Sequence, residues 1–441
     1  AVAPAIDAAA IHAQSDGNPL FSLALAQART AGLGWPERTL GSLIHAQLAR
    51  LDIRARDVLT YAAALGRAFT PELLGPACGF DAPSLLGALG ELERRGLLRP
   101  VGDARLDFAH DLVRQAAYRG LSQPRRRLLH SQIARSLAVA AESDESLCAE
   151  LARHASAAGD HPLAARACTD AGERALRAFA NVEAATLAEM GLRHLHRLPR
   201  TVDRLQLHMR LLEVKLLART TSRVSRPPEI AEEIGQAVAE AEAAGLHALA
   251  ATGHHLLAIW YQEAGDHAHA QESSMRSAAV GRAADEASRA RHLARTARCL
   301  MELERDAHRA RTLLRESAAA AERGGLEVCE LVFGEALVQR WEGDADRAAR
   351  SLECALAIAR RTRDRWAEFR CLTHLTMVAF EGGHLDRLRE HASTLLQVGG
   401  EMGEADVPFA RVLLAVAELR SDPARAYRRL EDALRALRDV S

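Results

Sequence analysis

Lysine is almost missing from this chain: Lys215 stands alone, and arginine carries the rest of the basic charge. The phosphate-gripping loop Gly-x-x-x-x-Gly-Lys-Ser/Thr is absent, because Lys215 lies in a Leu-rich stretch without it. His-Glu-x-x-His and Gly-x-Ser-x-Gly are absent as well. The chain is therefore expected to be no enzyme by itself. Aromatic residues make up 4% and alternating β-branched runs are nearly lacking, which points to helix almost throughout. The seven cysteines, at 78, 148, 168, 299, 329, 354 and 371, are odd in number and form no Cys-x-x-Cys pair. A disulfide framework or zinc site is not expected, and a reducing cytoplasm fits. No apolar run is long enough to span a bilayer and no signal-peptide pattern opens the chain, so no membrane partner is expected. A net charge of −1 implies no bulk attraction to DNA or anionic lipid.

What is present begins with a short mixed segment. From Arg54 to Leu65, the residues Ala55, Val58, Leu59, Ala62 and Ala63 keep helical spacing. Thr70-Pro71-Glu72 reads as a second helix start, with Thr as cap and Pro in the first helical position. Asp81-Ala82-Pro83 opens a third helix that runs to about Arg95 and stops at Gly96. Gly102-Asp103 between two short half-apolar runs, 96–101 and 105–108, signals a hairpin, and a further helix follows. Three helices, a hairpin and a helix make a winged-helix pattern.

From about residue 145 the chain repeats. Turn residues recur as Gly265-Asp266, Arg305-Asp306, Gly343-Asp344 and Gly383-His384, at intervals of 40, 38 and 40. A second series falls half a repeat away: Gly245-Leu246, Asp285, Gly324-Gly325, Asp364 and Gly399-Gly400. Pro227-Pro228 fills the first series' slot one repeat earlier, and Gly159-Asp160 marks an earlier turn. Four residues after these turns stand Ala164, Ala270, Ala310, Ala348 and Leu388, mostly small, so that helices can approach closely. The face Ala345, Ala348, Ala349, Leu352, Ala355, Leu356 and Ala359 cannot be buried by one helix pair alone, so the pairs must stack into a solenoid. The fold class expected is all-α: a winged-helix domain followed by a TPR-like α-solenoid of about 40-residue helix pairs.

Two motifs carry a family resemblance. Asp16-Gly17-Asn18-Pro19-Leu20-Phe21 resembles the Gly-x-Pro segment that closes the helical lid of STAND ATPases. About ninety residues on, the run Phe108-Ala109-His110-Asp111-Leu112-Val113-Arg114 resembles the segment ending their winged helix, where related NOD-type proteins have Met-His-Asp. The resemblance covers roughly residues 10–140, and helical repeats are its usual continuation. It is nearest to bacterial transcriptional regulators of the large LuxR and SARP classes and to ATPase-linked nucleotide cyclases. It implies domains at 1–48 (end of the nucleotide-binding lid), 49–140 (winged helix) and 141–441 (repeat sensor). It also implies that Pro19 would pack on the adenine of ADP or ATP in an intact parent, and that His110 would contact the β-phosphate and hold the ADP state. With no Walker segment here, nucleotide is not expected to bind this chain tightly, and both ends read as cut from something longer.

The function expected is signal-responsive transcription regulation, with a protein or small-molecule inducer on the repeats. DNA would be reached only through an output domain outside the chain, and self-oligomerisation on activation is the family's habit. One alternative couples the same core to an enzymatic output, a cyclase or kinase. Another is a repeat scaffold without a nucleotide switch. Each motif also has a plainer reading: Gly17-Asn18-Pro19 as a turn before a helix, and His110 as a histidine at a helix start. Glu91 and Glu93 beside Arg94 and Arg95 make the third helix a poor DNA reader. Arg125, Arg126 and Arg127 read as a solvated helix face. His254, His255, His267 and His269 read as solvent-facing turn histidines rather than metal ligands. Trp260, Tyr261 and Trp341 read as packing between helix pairs.

Overall fold

The computed structural model describes residues 22, 26, 40–66, 68–220, 228–401, 408–419 and 422–438, and divides into two compact units, 1–167 and 168–441. Among the described residues there are 21 α-helices and one two-stranded sheet.

The first unit opens with α1 (Leu40–Ala49) and α2 (Ile53–Leu65). The apolar stripe Ala55, Val58, Leu59, Ala62, Ala63 is buried, and the Asp52 carboxylate accepts from the Arg54 N–H to start α2. Next come α3 (Pro71–Cys78) and α4 (Ala82–Arg94). Thr70 holds the N-cap position of α3, but its side chain makes no cap hydrogen bond; Pro71 alone sets the start. Asp81 does cap α4, accepting from the Ser84 N–H at 3.0 Å. Gly96 at φ +66° then turns the chain into β1 (Leu98–Val101), and Gly102 at φ +64° turns it back as β2 (Arg105–Phe108). Leu98 pairs with Phe108 and Val101 with Arg105, while the Leu106 N–H reaches the Phe69 carbonyl at 2.9 Å. After the hairpin come α5 (Asp111–Arg119), α6 (Gln123–Ala141), a single 3-10 turn (Glu145–Leu147) and α7 (Cys148–Ala158).

A buried chain of polar groups ties this unit together. His130 on α6 and His154 on α7 occupy apolar faces, 6% and 0% exposed. Tyr118 Oη lies 2.7 Å from His130 Nε2, His130 Nδ1 lies 2.8 Å from His154 Nδ1, and Arg153 Nη2 donates to His154 Nε2 at 2.9 Å. The guanidinium can only donate, which fixes every tautomer. His154 carries its proton on Nδ1 and gives it to His130 Nδ1, and His130 donates from Nε2 to Tyr118. Both rings must be neutral. Burial, then Arg153, pushes the His154 imidazole down to about 3. The same two causes, with Arg126, lower His130. Arg153 also donates to the Leu65 carbonyl at 3.0 Å, so the network fastens α7 to the end of α2.

Helix α8 (His161–Arg177) leads into the second unit: α9 (Asn181–Leu195), α10 (Val202–Thr220), α11 (Pro228–Ala243), α12 (His247–Glu263), α13 (His267–Gly281) and α14 (Glu286–Glu302). It continues with α15 (Ala307–Gly324), α16 (Cys329–Trp341), α17 (Ala345–Thr362), α18 (Arg365–Glu381), α19 (Leu385–Glu401), α20 (Pro408–Glu418) and α21 (Pro423–Arg438). The turn aspartates act as N-caps: Asp266, Asp285, Asp306, Asp344 and Asp364 each accept the backbone N–H three residues on. The spacer positions Ala270, Ala310, Ala348 and Leu388 are fully buried. One expected turn is not there: Gly399 and Gly400 lie inside α19, which runs on to Glu401. Two glycines in a row lower helix propensity without forcing a break when the helix is held by its neighbours. Among the described glycines, Gly253 is the most closely approached by neighbouring helices. A Cβ there would lie 2.8 Å from Met209 Cε and inside contact distance of Val238.

The even-numbered helices from α10 to α20 each touch the next even-numbered helix, while each odd-numbered helix lies chiefly on its sequence neighbours. In a curved stack the helices on the inside are crowded together, so the even series forms the concave face.

Candidate ligand-binding surface of the helical repeats

The concave face carries charge where a stack built only for stability would carry apolar residues. Glu213 stands on α10, His255 on α12, Arg295, Arg298 and Glu302 on α14, Glu330 and Arg340 on α16, and Arg370 and His374 on α18. Many of these groups pair along or between inner helices. Arg210 binds Glu173 at 2.7 Å and Asp170 at 3.0 Å, joining α10 to α8. Arg295 reaches Glu330 at 3.2 Å, Arg298 grips both oxygens of Glu302 at 2.9 and 3.0 Å, and Arg340 binds Glu381 at 2.9 Å. The Phe333 ring meets His374 edge-on at 5.2 Å.

Enclosure shapes the ionisation of these groups. Burial opposes ionised Glu302, but Arg298 and Arg370 outweigh it and hold the carboxyl below its usual range. Glu330 is held down against burial by Arg295 in the same way. Glu213 lacks such tight compensation, and burial pushes it up despite Arg295 and Arg210. Burial, then the like charge of Arg298, weakens the basicity of Arg370. His255 is driven well below its ordinary value by burial and then by Arg295 and Arg298. Burial also takes His374 to about 4. At one edge, Gln206, His247, Thr252, Asp285, Ser288, Arg291, His292 and Arg295 line a cavity of about 430 Å³ with several small apolar residues.

The motif residues named from sequence fall elsewhere. Pro19 lies outside the described residues. His110 immediately precedes α5 in extended conformation (φ −143°), half-buried, and its side chain does not cap the helix. Asp111 turns to its own helix, accepting from Arg114 Nε at 2.8 Å and Gln115 Nε2 at 2.6 Å. His267 and His269 are exposed, but in the first turn of α13 rather than in the turn before it, and His254 and His255 are buried, at 5% and 6% exposure, because their helix α12 is packed on both sides. His254 is held by Glu242 at 2.9 Å. Trp341, expected in packing, is 64% exposed at the end of α16. Arg125 and Arg127 are exposed, whereas the Arg126 guanidinium lies 4.8 Å above the Tyr118 ring. Among the described residues no three His, Cys, Asp or Glu side chains converge as metal ligands, and no helix is long and apolar enough to cross a membrane.

The chain is thus an all-α protein whose second unit is a solenoid of roughly 40-residue helix pairs with a charged concave face. No protein-family model matches it, and no curated protein matches it in sequence. Among solved structures it is similar to a STAND protein with a tetratricopeptide-repeat sensor from Pyrococcus horikoshii, at 12% identity over 96% of this chain and 68% of that one, with a TM-score of 0.42. A Rap protein complexed with competence and sporulation factor is similar at 13% identity over 61% and 76%, with a TM-score of 0.45. The Cut9–Hcn1 hetero-tetramer of the APC/C is similar at 14% identity over 96% and 92%, with a TM-score of 0.38.

Proposed function

We propose that residues 168–441 form an interaction receptor whose concave face holds an extended segment of a partner protein. The observation that carries this reading is the line of enclosed charge on α10 to α18. Burying ionised groups costs several kcal/mol each before pairing, and an apolar lining would serve the stack at least as well. Charge kept on an inner face therefore points to a partner that is recognised there. Glu302 is already gripped by Arg298, so Arg370, repelled by Arg298, favours a further carboxylate from a partner. The test is selection from a random displayed-peptide library against the protein. Convergent, acid-containing sequences are expected, with affinity falling about tenfold or more on Arg370→Ala, the worth of a lost charged hydrogen bond. No convergence, or equal affinity for the variant, would overturn the reading.

A second reading has its own support: residues 53–119 run helix, helix, helix, hairpin, helix, and His110 stands free of capping duty at the start of the last. In an intact parent this segment, with Pro19, would couple ADP or ATP state to the repeats, and the output would be transcription regulation or an enzyme domain. An imidazole N–H can donate to a phosphate oxygen, and exchange could release the arrangement. Purified parent protein extended upstream is expected to retain ADP, and His110→Ala to lose it and raise basal output. Unchanged nucleotide retention in the variant would remove His110 from that role, leaving the receptor without a switch.

A further inference from the structure

A second site lies apart from the charged line on the inner helices. At the edge of the second unit the end of α8 faces the turn between α17 and α18. Arg174, Arg177, Ala178, Phe179, Arg360, Arg363, Arg365 and Glu368 line a cavity of about 640 Å³ there. Of the described lining residues, five are arginines and one is acidic. Glu368 already serves two of them, binding Arg360 at 2.9 Å and Arg365 at 2.6 Å. Five guanidinium groups beside one carboxylate make this lining strongly basic.

The backbone gives an independent observation. Phe179 and Arg363 both adopt left-handed conformation, at φ +57° and +56°. The matching turn positions of several other repeats hold glycine, Gly265, Gly343 and Gly383 in the slot of Phe179 and Gly245 and Gly325 in that of Arg363, while the turn before α15 also uses non-glycine residues, Glu304 and Asp306, in this conformation. Glycine takes this conformation without strain, whereas a side chain there is strained. Two of the non-glycine left-handed residues thus line one cavity. Each places a side chain in it, a flat apolar ring and a guanidinium. The Phe179 ring also packs against the hydrophobic core, where it meets Trp366 edge-on at 6.2 Å.

We infer that this cavity binds a small organic phosphate, of nucleotide size, with its phosphates on the arginines and its apolar part against Phe179. Guanidinium groups grip phosphate oxygens in pairs, and the volume falls within the range of small-molecule sites. The site stands independently of the peptide reading above.

The test is calorimetric titration of the whole chain with inorganic pyrophosphate, with ATP, and with a short polyglutamate peptide, using Arg363→Gly and Arg174→Ala. Glycine suits the backbone at 363, so Arg363→Gly is expected to melt no lower than the wild type while binding pyrophosphate at least about tenfold more weakly. Arg174→Ala is expected to weaken it likewise. Tighter binding of ATP than of pyrophosphate would assign the organic moiety to Phe179, and equal binding would leave a phosphate site; both support the assignment of phosphate chemistry. Absence of phosphate binding, binding unchanged in Arg363→Gly, or binding of polyglutamate alone would overturn it.

Discussion

Lowering the pH from 7.5 to 5 is expected to cost each unit of this protein about 2 kcal/mol or more, and to lower both melting transitions steeply. The cause is buried histidine that must stay neutral. His154 in the first unit and His292 in the second are each held down to about 3, first by burial and then by an arginine beside them, Arg153 and Arg295. An unfolded histidine titrates near 6.5, so below that value the unfolded chain binds protons that the folded chain refuses. The stability these rings contribute is therefore complete above about pH 6.5. It falls by up to ~1.4 kcal/mol per pH unit for each ring as the pH drops toward 3. His130 and His255, lowered by the same causes, add to the loss. Geometry makes the first unit's case strict: with Arg153 donating to His154 Nε2, a protonated His154 has no lone pair left and must break that bond. Thermal melts across pH 8 to 4.5 would show the slope, and His154→Gln should flatten it for the first unit. Melting temperatures unchanged between pH 8 and 5 would contradict the neutral relay.

The second large effect concerns the inner charges. Arg298→Ala is expected to destabilise the second unit by about 2 kcal/mol, since it removes the two-point partner of an enclosed Glu302 and leaves it only the more distant charge of Arg370. The Arg298 and Glu302 side chains are only 11% and 17% exposed, and Gln262, at 3.4 Å, is a weak substitute partner. Removing both charges should be far milder. In Arg298→Met/Glu302→Leu, Arg370 loses one repelling and one attracting neighbour together, and methionine and leucine fill the space. Denaturant unfolding should put the double variant within about 1 kcal/mol of wild type. A double variant as unstable as Arg298→Ala would make the pair structural and remove the argument that it is kept for binding.

Much of this was readable in the sequence because local rules and long-range packing agree. The turn aspartates marked the repeat boundaries, and in the structure they cap the helices that follow; Ala270, Ala310 and Ala348 predicted close approach and are fully buried. Gly399-Gly400 misled because a glycine pair weakens a helix without ending it when neighbouring helices hold both sides. The concave line was harder to see. Arg298, Glu330 and Arg370 look like ordinary solvated charges, and only the curvature that brings α14, α16 and α18 side by side makes them a surface. A usable signal did exist for the buried histidines. His130 stands with Leu129, Ile133 and Leu137 on one helical face, and His154 with Leu151 and Ala155; a polar ring at a core position implies a partner there. The arginine cavity joins residues about 190 apart in sequence, a distance that no periodicity crosses.

The central claim is that the inner charges are retained for a partner rather than for stability. It is tested most directly by measuring how tightly Arg298→Met/Glu302→Leu binds a peptide recovered by display selection on the wild type. The account predicts a folded variant of near-native stability whose affinity is at least about tenfold weaker. A variant equally stable and equally tight would contradict it.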